Sequence, residues 1–242
     1  MKLRNKLAFV AAFAVTGISA QGASVLINNH SFETPIVAGD GGFVASGAGT
    51  GVFNSWNYVV QNGASFEDFG IENPGGGAYT GAAGGGTPSG ANGTNVAFLN
   101  QDNSGLFAGI FQNVGSLQAN TQYTMTIAIG QRLDRTNGSI EFGLYNAATG
   151  ATNIWTGGTA LATDTEVSTV AGSFQDFTVT FTTGATVSND IYVAARYSET
   201  ASNLIQASLD NVRLDATVVP EPSTALLGGL GILGMLRRRR VH

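Results

Sequence analysis

Phe177, Val179 and Phe181 alternate without a break with Thr178, Thr180 and Thr182, and Tyr123, Met125, Ile127 and Ile129 repeat the pattern upstream. A period of two sends successive side chains to opposite faces of a strand, so these segments are half-buried strands with an apolar inner face and a threonine-lined outer face. No convincing helical period occurs between residues 24 and 219. Similar strand signals, bounded by turn-forming clusters, fall at Val25 to Phe32, Phe53 to Val60, Asn95 to Asn100, Phe107 to Val114, Gln122 to Gly130 and Ser139 to Tyr145, then at Gln175 to Thr182, Asp190 to Tyr197 and Ala207 to Ala216. Glycine-rich stretches at Gly39 to Gly51 and Gly75 to Gly93 carry too few apolar residues to build an element and are expected to be long loops. The economical fold is all-β, an antiparallel β-sandwich of two sheets.

Composition narrows the chemistry. The chain has no cysteine, so its core, helped at most by a metal, must supply stability, and thiol chemistry is excluded. Residues 24–219 hold 15 acidic residues against four arginines and no lysine. That balance argues against nucleic acid and anionic membrane surfaces as partners, because both are bound through neutralising cations, and it favours calcium outside the cell.

Both ends of the chain are specialised. Lys2, Arg4 and Lys6 precede an apolar run from Leu7 to Val15 and small residues from Thr16 to Ala23, which is the order of parts in a secretory signal peptide with Ala20 or Ala23 offered to a signal peptidase. At the other end Val219-Pro220-Glu221-Pro222-Ser223 is followed by the apolar stretch Ala225 to Leu236 and by Arg237, Arg238, Arg239 and Arg240. The prolines exclude regular helix at the motif. The apolar stretch is expected to form a short transmembrane helix, which at about 1.5 Å per residue reaches only about 18 Å and makes a marginal permanent anchor. The arginines hold its end on the cytoplasmic side. The domains expected are a signal peptide at 1–23, a β-sandwich at 24–217 and a tail at 218–242, with motif 219–223, helix 224–236 and basic end 237–240.

This tail resembles the PEP-CTERM sorting signal of Gram-negative bacteria. The resemblance implies processing by an exosortase-type enzyme, with Pro220, Glu221 and Pro222 as the recognised element and Arg237 to Arg240 as the basic stop. It also implies transient residence in the inner membrane, a destination at the cell surface or in the extracellular matrix, and extracellular polysaccharide as a partner.

A second resemblance rests on Asn28-Asn29-His30-Ser31-Phe32-Glu33 at the start of the domain, Trp56 after a glycine-rich gap, and Ser208-Leu209-Asp210-Asn211-Val212-Arg213-Leu214 near its end. These segments look like the galactose-binding-like jelly roll of carbohydrate-binding modules. The resemblance implies neighbouring first and last strands and a structural calcium held in part by Glu33 and Asp210. Beside it stands the plainer reading that Glu33 is solvated and Asp210 caps a turn. Sugar binding would use aromatic platforms, for which Trp56, Tyr58, Tyr79 and Trp155 are candidates, and forked donors, for which Arg132, Arg135 and Arg196 are candidates. Trp56 has a competing place in the core, and Arg132 and Arg135 a competing place in a solvated turn.

Catalysis is not expected. His30 is the sole histidine before the tail, and no G-x-S-x-G or H-E-x-x-H pattern occurs. A glycosidase would need two carboxylates, which Glu67, Asp68, Glu72, Asp164 and Glu166 offer on paper. The functions expected are a structural or adhesive role in exopolysaccharide or biofilm, with a lectin-like carbohydrate-binding module as the alternative.

Overall fold

The computed structural model describes residues 22–47, 49–60, 68–101, 108–135, 138–197, 205–219 and 231. Of the expected signal peptide 1–23, residues 1–21 lie outside that set, as do the motif residues Pro220, Glu221 and Pro222, the expected helix 224–236 apart from residue 231, and Arg237 to Arg240. In chain order the elements are β1 (Ala23–Val25), β2 (Phe43–Ala45), β3 (Gly49–Phe53), β4 (Trp56–Val60), β5 (Asp68–Glu72), β6 (Val96–Gln101), β7 (Ala108–Ser116), β8 (Thr121–Gly130), β9 (Ile140–Ala147), α1 (Ile154–Gly157), β10 (Thr159–Glu166), β11 (Phe174–Thr182), β12 (Asp190–Tyr197) and β13 (Ile205–Val218). Among the described residues no helix is long and apolar enough to cross a membrane.

The strands form two antiparallel sheets. One runs β11-β8-β13-β6-β5-β2 with β1 joined to β13, and the other runs β10-β9-β12-β7-β4-β3. The first and last strands are neighbours, as the jelly-roll resemblance implies: Ala23 to Val25 pair with Ala216 to Leu214, below the point where β6 leaves β13. A register shift between Asp210 and Arg213 bends β13 at that junction. There Asn211 takes φ +48° and Val212 donates its amide to the His30 carbonyl.

Alternation fills the space between the sheets. Met125, Ile127 and Ile129 of β8, Phe69 and Ile71 of β5, Leu209 of β13 and Phe142 and Leu144 of β9 belong to one buried cluster. Thr126 and Thr178 face each other on the outside, with oxygens 3.1 Å apart. Apolar area removed from water at about 25 cal/mol per Å² drives this packing. Each sheet also carries a smaller apolar cluster: Val59, Phe111, Tyr145, Ile154 and Tyr192 on one, Ala78, Tyr79, Ala82, Val96 and Phe174 on the other.

The differences from the sequence reading have local causes. The strand expected over Val25 to Phe32 ends at Val25, because the turn formers that follow let the chain coil through left-handed Asn29 and Phe32. The glycine-rich stretch Gly39 to Gly51 contains β2 and most of β3, edge strands with exposed faces and hence no alternation to read. β5 and β10 were not expected. β5 is short, and β10 exposes residues on both faces.

Candidate functional site

The outer face of the first sheet carries a closed set of polar groups. Arg132, just beyond β8, reaches Glu72 at the end of β5 with Nη1 at 2.8 and 2.9 Å from the two carboxylate oxygens. Its Nε and Nη2 hold Asp134 at 2.8 and 2.9 Å. Gln206 of β13 donates to Glu72 Oε1 at 3.2 Å. Above them lies Tyr79, fully buried, with its ring 6.0 Å from the Arg132 guanidinium carbon and 4.9 Å from the Phe174 ring.

Local folding explains this arrangement. In β5, Phe69 and Ile71 enter the core, which turns Gly70 and Glu72 outward. The glycine-rich segment after β5 is pinned on the same face, where Thr80 donates to the Gly172 carbonyl and Leu133 to the Ala78 carbonyl. Phe174 lies so close to Gly130 that a Cβ there would meet its ring at 2.5 Å.

Burial decides the electrostatics. It pushes the Glu72 carboxyl above the usual carboxylate range against the opposing pull of Arg132, and pushes the Tyr79 phenol up. The hydrogen bond from Arg132 holds Asp134 below that range. The Tyr79 and Ser208 hydroxyls are turned toward each other, yet neither makes a hydrogen bond of good geometry. A buried carboxyl whose hold on a proton is strengthened by desolvation, beside aromatic rings and unsatisfied hydroxyls, has the chemistry of a proton-exchanging group.

Glu33 and Asp210 also meet. Glu33 accepts from the Asn95 amide at 2.9 Å, Asp210 from the Asn92 amide at 2.5 Å, and the Glu33 charge acts on Asp210. Gly93, at φ +103°, permits this approach, since a Cβ there would overlap the Glu33 carboxylate. Burial pushes Asp210 up to about 8, with Glu33 adding to the shift. Asp210 Oδ1 and Asn95 Oδ1 are buried without hydrogen-bond partners. The orphaned Asp210 Oδ1 and Asn95 Oδ1, beside the Glu33 carboxylate, are oxygen donors of the kind a hard cation such as calcium takes, with backbone carbonyls or water as the remaining ligands. Among the described residues no group of three or more His, Cys, Asp or Glu forms a metal cluster.

The other sugar-site candidates are scattered. Trp56 is 1% exposed, stacked on Phe32 and donating its indole N–H to the Asn29 carbonyl, so its ring has no face for a ligand. Tyr79 is equally closed, and Tyr58 packs against the main core. Arg135 is exposed beside Asp134. Arg132 is not in a solvated turn but at the centre of the buried cluster. Trp155 and Arg196 come together on the outer face of the second sheet. In the sequence Glu72 is one of several acids, and nothing marks Gln206. The alternation of Phe69 and Ile71 with Gly70 and Glu72 was the signal that could have found β5.

Comparison with known proteins adds the family. Residues 218–240 match the PEP-CTERM protein-sorting motif, so the chain carries that signal for export and membrane-associated sorting by an exosortase. An apo-form cyclase from Fischerella sp. is similar in structure, with TM-score 0.61, 21% identity, and coverage of 83% of this chain and 98% of that one. A cyclase from Fischerella sp. TAU gives TM-score 0.62, 20% identity, and coverage of 83% and 100%. The Stig cyclase Fisc from Fischerella sp. TAU, in complex with (3Z)-3-(1-methyl-2-pyrrolidinylidene)-3H-indole, gives 0.61, 19%, 83% and 100%. No curated protein matches the sequence. The expectation that the protein is not an enzyme is overturned by the family match. It rests on missing histidine and serine motifs and on reading the acids as solvated loop residues, whereas Glu72 ends a strand with its side chain 12% exposed. Residues 23–215 match the HpiC1-like model, described as HpiC1 cyclase, and the chain belongs to that family.

Proposed function

We propose that this protein is an exported cyclase-type enzyme, working at the cell surface or in the extracellular matrix after exosortase processing, with its reaction centre at Glu72. The observation that carries this reading is a buried carboxyl, raised by desolvation and gripped by Arg132 and Gln206, beneath an aromatic lining. The Glu72 carboxyl gives its proton to one carbon of a substrate double bond, and the π pair becomes the new C–H bond. The cation left on the neighbouring carbon is closed by a second π bond of the same molecule, forming the ring bond. Loss of a proton to the Glu72 carboxylate then restores the site. The product is an isomer of the substrate and nothing is oxidised or reduced. Arg132 steadies the carboxylate after the first transfer.

An unsaturated, indole-bearing small molecule is the substrate class to try first, since one family-like cyclase is described with an indole ligand. The purified exported protein is incubated with a panel of such compounds, and products of unchanged mass but altered chromatographic retention are sought. An isomer formed by the wild type and reduced at least about a hundredfold in Glu72→Gln supports the reading. Equal turnover by Glu72→Gln, or no isomer from any compound, overturns it. We further propose that Glu33, Asp210 and Asn95 hold a structural calcium that fixes the loop at Asn92 to β13.

A further inference from the structure

The outer face of the second sheet, opposite the Glu72 site, carries a separate constellation. Gly109 of β7, Arg196 of β12 and Glu141 of β9 share one cross-strand rung. Arg196 Nη2 lies 2.7 Å from Glu141 Oε2, and the Tyr145 hydroxyl donates to Glu141 Oε1 at 2.7 Å. The Trp155 indole N–H is turned to the Tyr145 oxygen, so a polar chain runs from indole to guanidinium.

The Trp155 ring is fixed by more than this approach. Its backbone amide donates to the Asn153 side chain at the start of α1. Its ring meets Phe111 and Tyr145 nearly edge to face, at centroid distances of 5.5 and 6.4 Å. Gly109 opens the space it occupies, because a Cβ there would lie 2.5 Å from Trp155 and 3.0 Å from the Arg196 Cβ.

The ion pair is accessible, with side-chain exposures of 31% for Arg196 and 20% for Glu141, where such a pair contributes little to stability. An indole held in one orientation beside a braced arginine and carboxylate is suited to a pyranose, the ring covering its C–H face and the two charged groups bonding neighbouring hydroxyls. The local charges cancel, whereas the surrounding domain is strongly acidic. An anionic polymer is therefore repelled and an uncharged one is not.

We propose that Trp155, Arg196, Glu141 and Tyr145 form a binding site for neutral polysaccharide, separate from the catalytic centre. The protein, exported and purified in its processed form, is titrated against soluble neutral glucans, galactans and mannans, with a uronic-acid polymer in parallel. Saturable binding to a neutral glycan is expected. Arg196→Lys and Glu141→Gln should each weaken it at least tenfold with an unchanged melting temperature, and Trp155→Ala should abolish it. Glu72→Gln should leave binding as in the wild type, and Arg196→Lys should leave isomer formation intact, so the two sites fail independently. Absence of binding to every neutral glycan, preference for the uronic-acid polymer, or binding indifferent to Arg196→Lys and Glu141→Gln overturns the proposal.

Discussion

Asp210 is where pH should act most visibly on this domain. In the folded chain its carboxyl retains a proton up to about pH 8, whereas an unfolded aspartate loses it near about 3.9. Folding therefore favours the protonated form, and the stability this group contributes is complete below about pH 4 and is lost as pH climbs through about 8. The calcium proposed at Glu33 and Asp210 would take the place of that proton and remove the loss. Thermal melts in chelator should fall across this window, and melts in calcium should not. Asp210→Asn, which keeps an acceptor for the Asn92 amide, should abolish both the fall and the response to calcium. A wild-type melting temperature indifferent to pH and to calcium would contradict this account. Gly130 offers a steric test of the Glu72 face. Gly130→Ala sets a methyl group against the Phe174 ring and should cost about 1–3 kcal/mol, the usual range for overpacking, in denaturant unfolding.

Among the elements, strands that build the core should be separable from strands that close an edge. Ile127 in β8 is fully buried between the sheets, and Ile127→Ala should cost about 2–5 kcal/mol. Val52 in β3 is 68% exposed at a sheet edge, and Val52→Thr should stay within about 0.5 kcal/mol. Comparable losses at the two positions, measured by chemical denaturation, would mean that β3 is covered in solution. The same contrast explains what could be read from the sequence. β8 and β11 announce themselves because one face is apolar and the other is threonine, and their pairing from Phe174 with Gly130 to Thr182 with Gln122 keeps that register throughout. β2 and β3 have no buried face and therefore leave no pattern. Site residues follow the same logic. Glu33 and Asp210 could be paired from a resemblance, since the motifs containing them are contiguous in sequence. The Glu72 cluster joins β5, β8 and β13 through side chains 60 and 134 positions apart, and nothing local marks Glu72 as different from the other acids.

For the whole molecule, the notable geometry is how close the folded body comes to the sorting motif. β13 runs to Val218, and the Val219 amide still donates to the Asn120 carbonyl at 2.6 Å. Asn120 in turn donates to Gly184, so the last described residue before Pro220 is tied to two loops at one end of the sandwich. β1 pairs with the same half of β13, which brings the N-terminal segment to that end as well. No spacer separates the sandwich from the Pro-Glu-Pro motif. A processing enzyme that grips an extended peptide must therefore work against the folded domain or draw Val219 away from it, breaking the bond to Asn120. Inserting six glycine and serine residues between Val219 and Pro220 relieves that conflict without touching either partner. Removal of the tail, followed as a mass shift in pulse-labelled cells, should then be several-fold faster than in the wild type. Pro220→Ala together with Pro222→Ala, in the same extended chain, should stop it. An unchanged rate on insertion would mean that the enzyme reaches the motif with the sandwich fully docked, and that the folded body sets no limit on sorting.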